Sequence, residues 1–217
     1  MTKSILDKLP QAKKDVLLKD FTTYKIGGKA KYFFVAKSKE DLIYALRTAK
    51  ELKLPVFILA GGSNLLISDK GFKGLVIKID IQELRAEGNK FFTGAGTSLS
   101  KAAHFSSLQG LSGLEWSAGI PGTIGGAIFG RAQAFGETIS DYIKSVEAVN
   151  IKTFEIKSLS KEECKFSLKN SIFKKYGKWI IVSAVFELKN ASVEDSKAKI
   201  DKSIEYRKKC HPIDFPS

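Results

Sequence analysis

Two short segments of this chain carry the residue types needed to hold an anion on bare backbone. Gly61-Gly62-Ser63-Asn64, followed by Leu65, comes one residue, Ala60, after the continuous apolar run Val56-Phe57-Ile58-Leu59. Two glycines at the C-terminal end of a buried strand permit positive φ and a close approach of backbone to ligand. Successive N–H groups can then converge on one concavity, and Ser63 and Asn64 add side-chain donors. The turn matches neither a P-loop nor G-x-G-x-x-G, and alone such a sequence is more often a tight turn than a phosphate cradle. The second segment, Gly119-Ile120-Pro121-Gly122-Thr123-Ile124-Gly125-Gly126, lies in a stretch, 117–136, with six glycines and a single charged residue. Pro121 stiffens it, Gly122, Gly125 and Gly126 leave bare backbone, and Ile120 and Ile124 can face an aromatic ring system. Donors beside apolar contact suit a pyrophosphate joined to a flat heterocycle. A close-packed crossing of backbone on backbone explains the glycines equally well.

Other candidates are weaker. Phe166-Ser167-Leu168-Lys169-Asn170-Ser171-Ile172-Phe173 sets polar residues between bulky apolar ones, and Lys169 there could meet a substrate carboxylate or phosphate. A solvated lysine is the ordinary alternative in a chain so rich in lysine. Ser171 and Glu137 are further polar candidates. Gly94-Ala95-Gly96-Thr97-Ser98-Leu99 lacks the third glycine of a dinucleotide fingerprint, and a capped helix start accounts for it. His104 and His211 are isolated. Cys164 and Cys210 form no C-x-x-C pair, so no metal site is expected. No spacing suggests a catalytic triad or a carboxylate pair.

The positioning elements follow from periodicity. Phe33-Phe34-Val35 reads as a strand. Ser38 opens a helix with Asp41 three residues on, and Leu42, Ala45, Leu46, Ala49 and Leu52 form its apolar stripe. Val56–Leu59 completes a strand–helix–strand unit. Leu75, Ile77 and Ile79 alternate as another strand; Ser98 caps a helix ending before Gly110; Val146 to Ile151 and Ile180 to Leu188 are strand-like, and a closing helix covers about 192–209. These elements predict an α+β fold with a helical or loose leader over 1–20, one lobe over 21–80, a second over 81–190, and a further unit beginning at 191–217.

Composition excludes little but bounds the class. The 217 residues are 43% hydrophobic and 27% charged, ordinary for a globular protein. The net charge of +13 comes from lysines spread along the chain rather than gathered in a stripe. A nucleic-acid partner is therefore not expected, and a positive field that attracts small phosphorylated ligands is the more economical reading. No apolar run approaches the roughly 20 residues of a membrane span, and the N-terminal residues lack a secretory pattern, so a cytoplasmic location is expected.

Taken together and in order, Thr22-Thr23-Tyr24-Lys25-Ile26-Gly27-Gly28, Ala60 to Leu66, Gly94-Ala95-Gly96, Gly113-Leu114-Glu115 running into Ala118–Ala127, and Phe166 to Phe173 resemble the UDP-N-acetylenolpyruvoylglucosamine reductase family of peptidoglycan synthesis. The resemblance implies a two-lobed FAD-binding fold of the vanillyl-alcohol-oxidase type, with FAD contacts at Gly61 to Leu65 and at Gly119 to Gly126. It implies NADPH as hydride donor and an enolpyruvyl UDP-sugar as acceptor. The acceptor's enolate-like intermediate needs a positive group at its carboxylate and an acid to protonate it. Three departures matter. The family's Y-R-x-S reads Leu168-Lys169-Asn170-Ser171, which leaves Lys169 as the catalytic candidate with the charge but not the bidentate fork. The family's N-A-G-A-Y-G reads Arg131-Ala132-Gln133-Ala134-Phe135-Gly136. The sequence stops at Pro216-Ser217, where the family continues with Ala-Gly-Ser, whose serine is the proton donor, and a substrate domain. The implied activity is accordingly that of an incomplete reductase, with the proton donor supplied by an absent C-terminal domain or a second chain. A non-catalytic FAD-binding module is the alternative.

Overall fold

The computed structural model describes residues 5–210. In chain order the elements are α1 (Ile5–Lys8), β1 (Lys13–Leu17), β2 (Lys29–Ala36), α2 (Lys39–Glu51), β3 (Val56–Leu59), β4 (Phe72–Ile79), β5 (Leu84–Glu87), β6 (Lys90–Gly94), α3 (Leu99–Leu108), β7 (Leu111–Ser112), α4 (Ile124–Gly130), β8 (Gln133–Ala134), β9 (Glu137–Thr138), β10 (Ile143–Asn150), β11 (Ile156–Ser160), α5 (Ile172–Tyr176), β12 (Trp179–Glu187), β13 (Lys189–Asn190) and α6 (Val193–Cys210). Short 3-10 turns lie at Leu18–Phe21, Glu115–Ser117 and Ile139–Asp141.

Two sheets organise this α+β fold. The first has strand order β1-β2-β4-β3 and the second β11-β10-β12-β6-β5. In the first, β2, β4 and β3 run parallel. Parallel strands need both faces covered, and both are. Phe34, Ala36, Leu75, Ile77 and Ile79 face α2, whose Leu42, Ala45, Leu46 and Ala49 complete that layer. Phe33, Ala30, Leu59 and Val76 face the other way onto Leu18, with Leu65 and Ile67 packed alongside. The strand–helix–strand unit is present, yet its two strands are not neighbours, because β4 lies between them.

The second sheet is antiparallel. Its central strand, β12, carries α4 and α5. Residues 13–17 differ from the expected leader: they form β1, paired antiparallel with β2 from Lys13↔Phe33 to Leu17↔Lys29. Their side chains are almost all exposed. An edge strand needs only backbone pairing on one side, so charged residues suit it and leave no hydrophobic alternation to read. The described part of the expected third unit, α6, docks on α3 and on the Glu115–Ser117 turn of the second lobe. His211 and Ser217 lie outside the described residues. No described helix is long and apolar enough to cross a membrane.

The helix that precedes β3, α2, carries a reciprocal cap at its N-terminus. Ser38 Oγ accepts from the Asp41 amide at 3.0 Å, and Asp41 Oδ2 accepts from the Ser38 amide at 3.2 Å. Ser38→Ala is expected to cost about 1 kcal/mol, lowering the thermal midpoint by roughly 2–4 °C for a domain of this size, as checked by calorimetry.

Candidate functional site

The first glycine turn is shaped from behind. β3 ends at Leu59, and Gly62 turns the chain with φ +68°. A Cβ at Gly62 would collide with the Phe21 carbonyl. The Thr23 amide donates to Gly62 O at 3.3 Å, and Thr23 Oγ1 donates to Ser63 O at 3.4 Å. Buried Thr22 closes its own loop by donating to Ile26 O at 3.1 Å. The Thr22–Gly28 segment thus takes up the carbonyls of the turn and leaves its amides free.

The second turn is held by the segment that looked like a broken dinucleotide fingerprint. Leu99 N donates to Gly122 O at 3.1 Å, Ile124 N to Thr97 O at 2.9 Å and Gly125 N to Ala95 O at 2.9 Å. A Cβ at Gly125 would stand 2.9 Å from Ala95 Cβ, so bare backbone is needed for this packing. Gly126 N donates to Thr123 Oγ1, the N-cap of α4. Gly119 N goes to Ser100 Oγ at 3.0 Å and Ile120 N to Ser117 O at 3.1 Å.

With those donors committed, six amides remain without a hydrogen-bond partner among the described residues: Gly61, Gly62, Ser63, Asn64, Gly122 and Thr123. The two turns that bear them touch. A Cβ on Gly61 would lie 2.9 Å from Gly122 Cα, and one on Gly122 3.0 Å from Ser63 Oγ. Leu65 turns away into the smaller core, while half-buried Ile120 and exposed Pro121 border the second turn. Gly125 and Gly126 sit inside the first turn of α4.

Lys169 stands elsewhere. It is exposed at φ +54° on a tight loop closed by reciprocal Ser167 and Asn170 backbone hydrogen bonds. Buried Ser171 fastens this loop to the C-terminal end of α4 by donating to Phe129 O at 2.8 Å. A seven-residue helix is about 10 Å long, so Lys169 and the glycine turns stand at opposite ends of α4. Glu137 accepts from the Tyr142 hydroxyl at 2.8 Å. Burial and then Glu137 push that phenol's pKa above its ordinary value. His104 is exposed on α3. Cys164 is buried, which pushes its thiol up to about 12, while Cys210 is exposed. No described cluster of His, Cys, Asp or Glu could hold a metal ion.

Two supporting residues escaped sequence reading. Arg207 of α6 donates through Nη2 to Trp116 O at 2.9 Å and through Nε to Ala118 O at 3.1 Å. Its stem lies against Gly119, where a Cβ would be 3.0 Å from Arg207 Cδ. Its guanidinium also covers the Phe135 ring at 5.1 Å. Arginine is rare in this lysine-rich chain, and that rarity was the available signal. Glu115 is buried and takes the Gly113 amide on Oε2 at 2.6 Å. Burial alone would raise its pKa; the Ser112 hydroxyl and the backbone amides outweigh it and hold the carboxyl below the ordinary value.

Comparison with known proteins agrees with this geometry. A model of the FAD binding domain matches residues 30–159. The UDP-N-acetylenolpyruvoylglucosamine reductase of Caldanaerobacter subterraneus subsp. tengcongensis is 36% identical across 100% of this chain and 74% of its own length. This chain belongs to that reductase family. The crystal structure of the Thermus caldophilus reductase superposes with TM-score 0.76 and 28% identity, covering 90% of this chain and 69% of that one. An alkyldihydroxyacetonephosphate synthase shares the fold alone, with TM-score 0.60 at 15% identity over 88% of this chain and 41% of the other. The family's FAD suits the residues present: six amides without a protein partner lie on two turns that touch where added Cβ atoms would clash.

Gly61→Val is expected to force the turns apart and abolish FAD uptake while far-UV circular dichroism stays native; fluorescence titration with FAD checks it. A second outcome concerns Glu115. Its carboxyl is more acidic folded than unfolded, so its stabilisation is complete above the unfolded pKa of about 4.3 and is lost as pH falls through the folded value. Glu115→Gln should therefore flatten the acid side of the stability profile, read by urea midpoints between pH 3 and 7.

Proposed function

We propose that this chain holds FAD at the two glycine turns and serves the NADPH-dependent reduction of the enolpyruvyl group of UDP-N-acetylglucosamine enolpyruvate, a cytoplasmic step. The observation that carries this reading is that the unpaired amides of Gly61, Gly62, Ser63, Asn64, Gly122 and Thr123 lie on two turns in contact with each other. These donors would grip the diphosphate, with Leu65, Gly119, Ile120 and Pro121 as neighbouring contacts and Gly125 and Gly126 keeping α4 close beneath. When bound, FAD supplies the hydride, which it receives from NADPH.

The remaining steps fall to protein side chains. Lys169 is assigned the cation that steadies charge as it moves onto the substrate carboxylate. Its exposed position on the loop anchored by Ser171 leaves it free to reach a ligand. Of the lobes, 21–80 contributes the first turn and 81–190 the second, and the further unit expected over 191–217 begins with α6. We assign the proton donor, and the rest of the sugar pocket, to a further segment or a second chain.

The purified protein is expected to be yellow, or to take up added FAD with quenching of flavin fluorescence; a colourless protein that takes up none overturns the reading. The 217-residue chain alone should show little NADPH-dependent reduction of the enolpyruvyl sugar in a stopped-time assay. Robust turnover would place the proton donor within it.

A further inference from the structure

Arg131 closes α4 in the left-handed region, at φ +48° and ψ +66°. A long side chain there is costly, and glycine or asparagine would relieve the position. The guanidinium is nevertheless held in place. Its Nε donates to the buried Ser140 hydroxyl at 2.8 Å. Ser140 Oγ lies 2.8 Å from Thr138 Oγ1, and Thr138 Oγ1 donates to Asp141 Oδ1 at 2.8 Å. Because Thr138 spends its proton on Asp141, Ser140 must donate to Thr138 and accept from Arg131. One consistent chain of donors thus runs from guanidinium to carboxylate and fixes the Nε edge of the arginine.

The outer edge of Arg131 remains. Its Nη1 and Nη2 have no hydrogen-bond, ion-pair or ring partner among the described residues. Two parallel donors on a pre-oriented guanidinium match the two oxygens of a carboxylate or phosphate. Arg131 stands at the C-terminal end of α4, the same end to which Ser171 fastens the Lys169 loop. Thr138, the middle of the donor chain, lines a cavity of about 230 Å³ together with Gln133, Ala134, Phe135 and Gly136.

We propose that Arg131 is the bidentate anchor for the anionic group of the substrate, with Lys169 as a second, exposed cation from the same helix end. This goes deeper into the proposed reaction and rests on it. The fork that Lys169 lacks is supplied from another loop, and the strain at φ +48° persists because the guanidinium is used. Two anions of the substrate share the required chemistry, the enolpyruvyl carboxylate and the UDP diphosphate; two probes separate them.

The test uses the FAD-loaded chain and reads flavin absorbance while titrating either the enolpyruvyl UDP-sugar or UDP-N-acetylglucosamine, which keeps the diphosphate and lacks the carboxylate. Arg131→Asn removes the fork and suits the left-handed position, so its thermal midpoint and FAD affinity should equal or exceed those of the parent. Its affinity for the enolpyruvyl sugar should fall roughly ten- to hundredfold, the value of a charge-assisted pair. Arg131→Lys should recover part of the loss and Arg131→Asn with Lys169→Arg more of it. An unchanged affinity for UDP-N-acetylglucosamine assigns the carboxylate; an equal loss for both sugars assigns the diphosphate. An Arg131→Asn protein that binds FAD and both sugars like the parent overturns the proposal, as does a parent that binds FAD but neither sugar. Failure to bind FAD at all counts instead against the flavin reading.

Discussion

Two glycine turns, one at the end of β3 and one leading into α4, approach until backbone meets backbone at Gly61 and Gly122, and the rest of the molecule is arranged around that contact. A single methyl group at Gly61 would stand 2.9 Å from the opposing Cα. Bare backbone has two effects there. It lets the turns approach, and it leaves amides with no side chain to screen them. Asn64 is exposed and Gly61, Ser63 and Gly122 are half-buried, so water or a ligand can reach these donors. Donors without a protein partner are the groups such a contact leaves open to an anion.

Each turn is braced from the side away from the contact. Thr23 takes the carbonyls of the first. The Ala95–Leu99 segment takes the inner donors and the Gly122 carbonyl of the second, and Arg207 holds the carbonyls just before it. The positive charge near the site comes from few residues in fixed positions rather than from the diffuse lysine surface. Exposed lysines are screened within about 10 Å at moderate salt, whereas a guanidinium bonded to buried groups keeps its direction.

Much of the fold was legible because hydrophobic periodicity marks elements that bury a face. The stripe Leu42, Ala45, Leu46 and Ala49 gave α2, and Val56–Leu59 gave β3 with its bounds. β1 was not legible, since a charged edge strand buries almost nothing. Strand order was not legible either, because adjacency is decided by sheet packing rather than by local pattern. At the site, the glycine turns could be read as glycine turns. The division of labour among their amides could not, because it depends on partners such as Thr97 and Ala95 that are remote from them in local sequence. Arg207 and Arg131 were obscure for the same reason: their roles are set by what α6 and the Ser140 loop bring to them.

The two sheets share an order of completion. In the first, β4 is the last strand along the chain and yet lies between β2 and β3. In the second, β12 is the last and lies at the centre, joining the β10–β11 pair to the β5–β6 pair. Each half is thus keyed shut by its final strand, and β6, already paired with β5, must wait for its second partner some ninety residues downstream. Contacts so distant in sequence slow folding, and during synthesis a strand without its neighbour is an open edge. On a ribosome, the N-terminal half can close once residue 79 has emerged, while the other half stays ajar until residue 187.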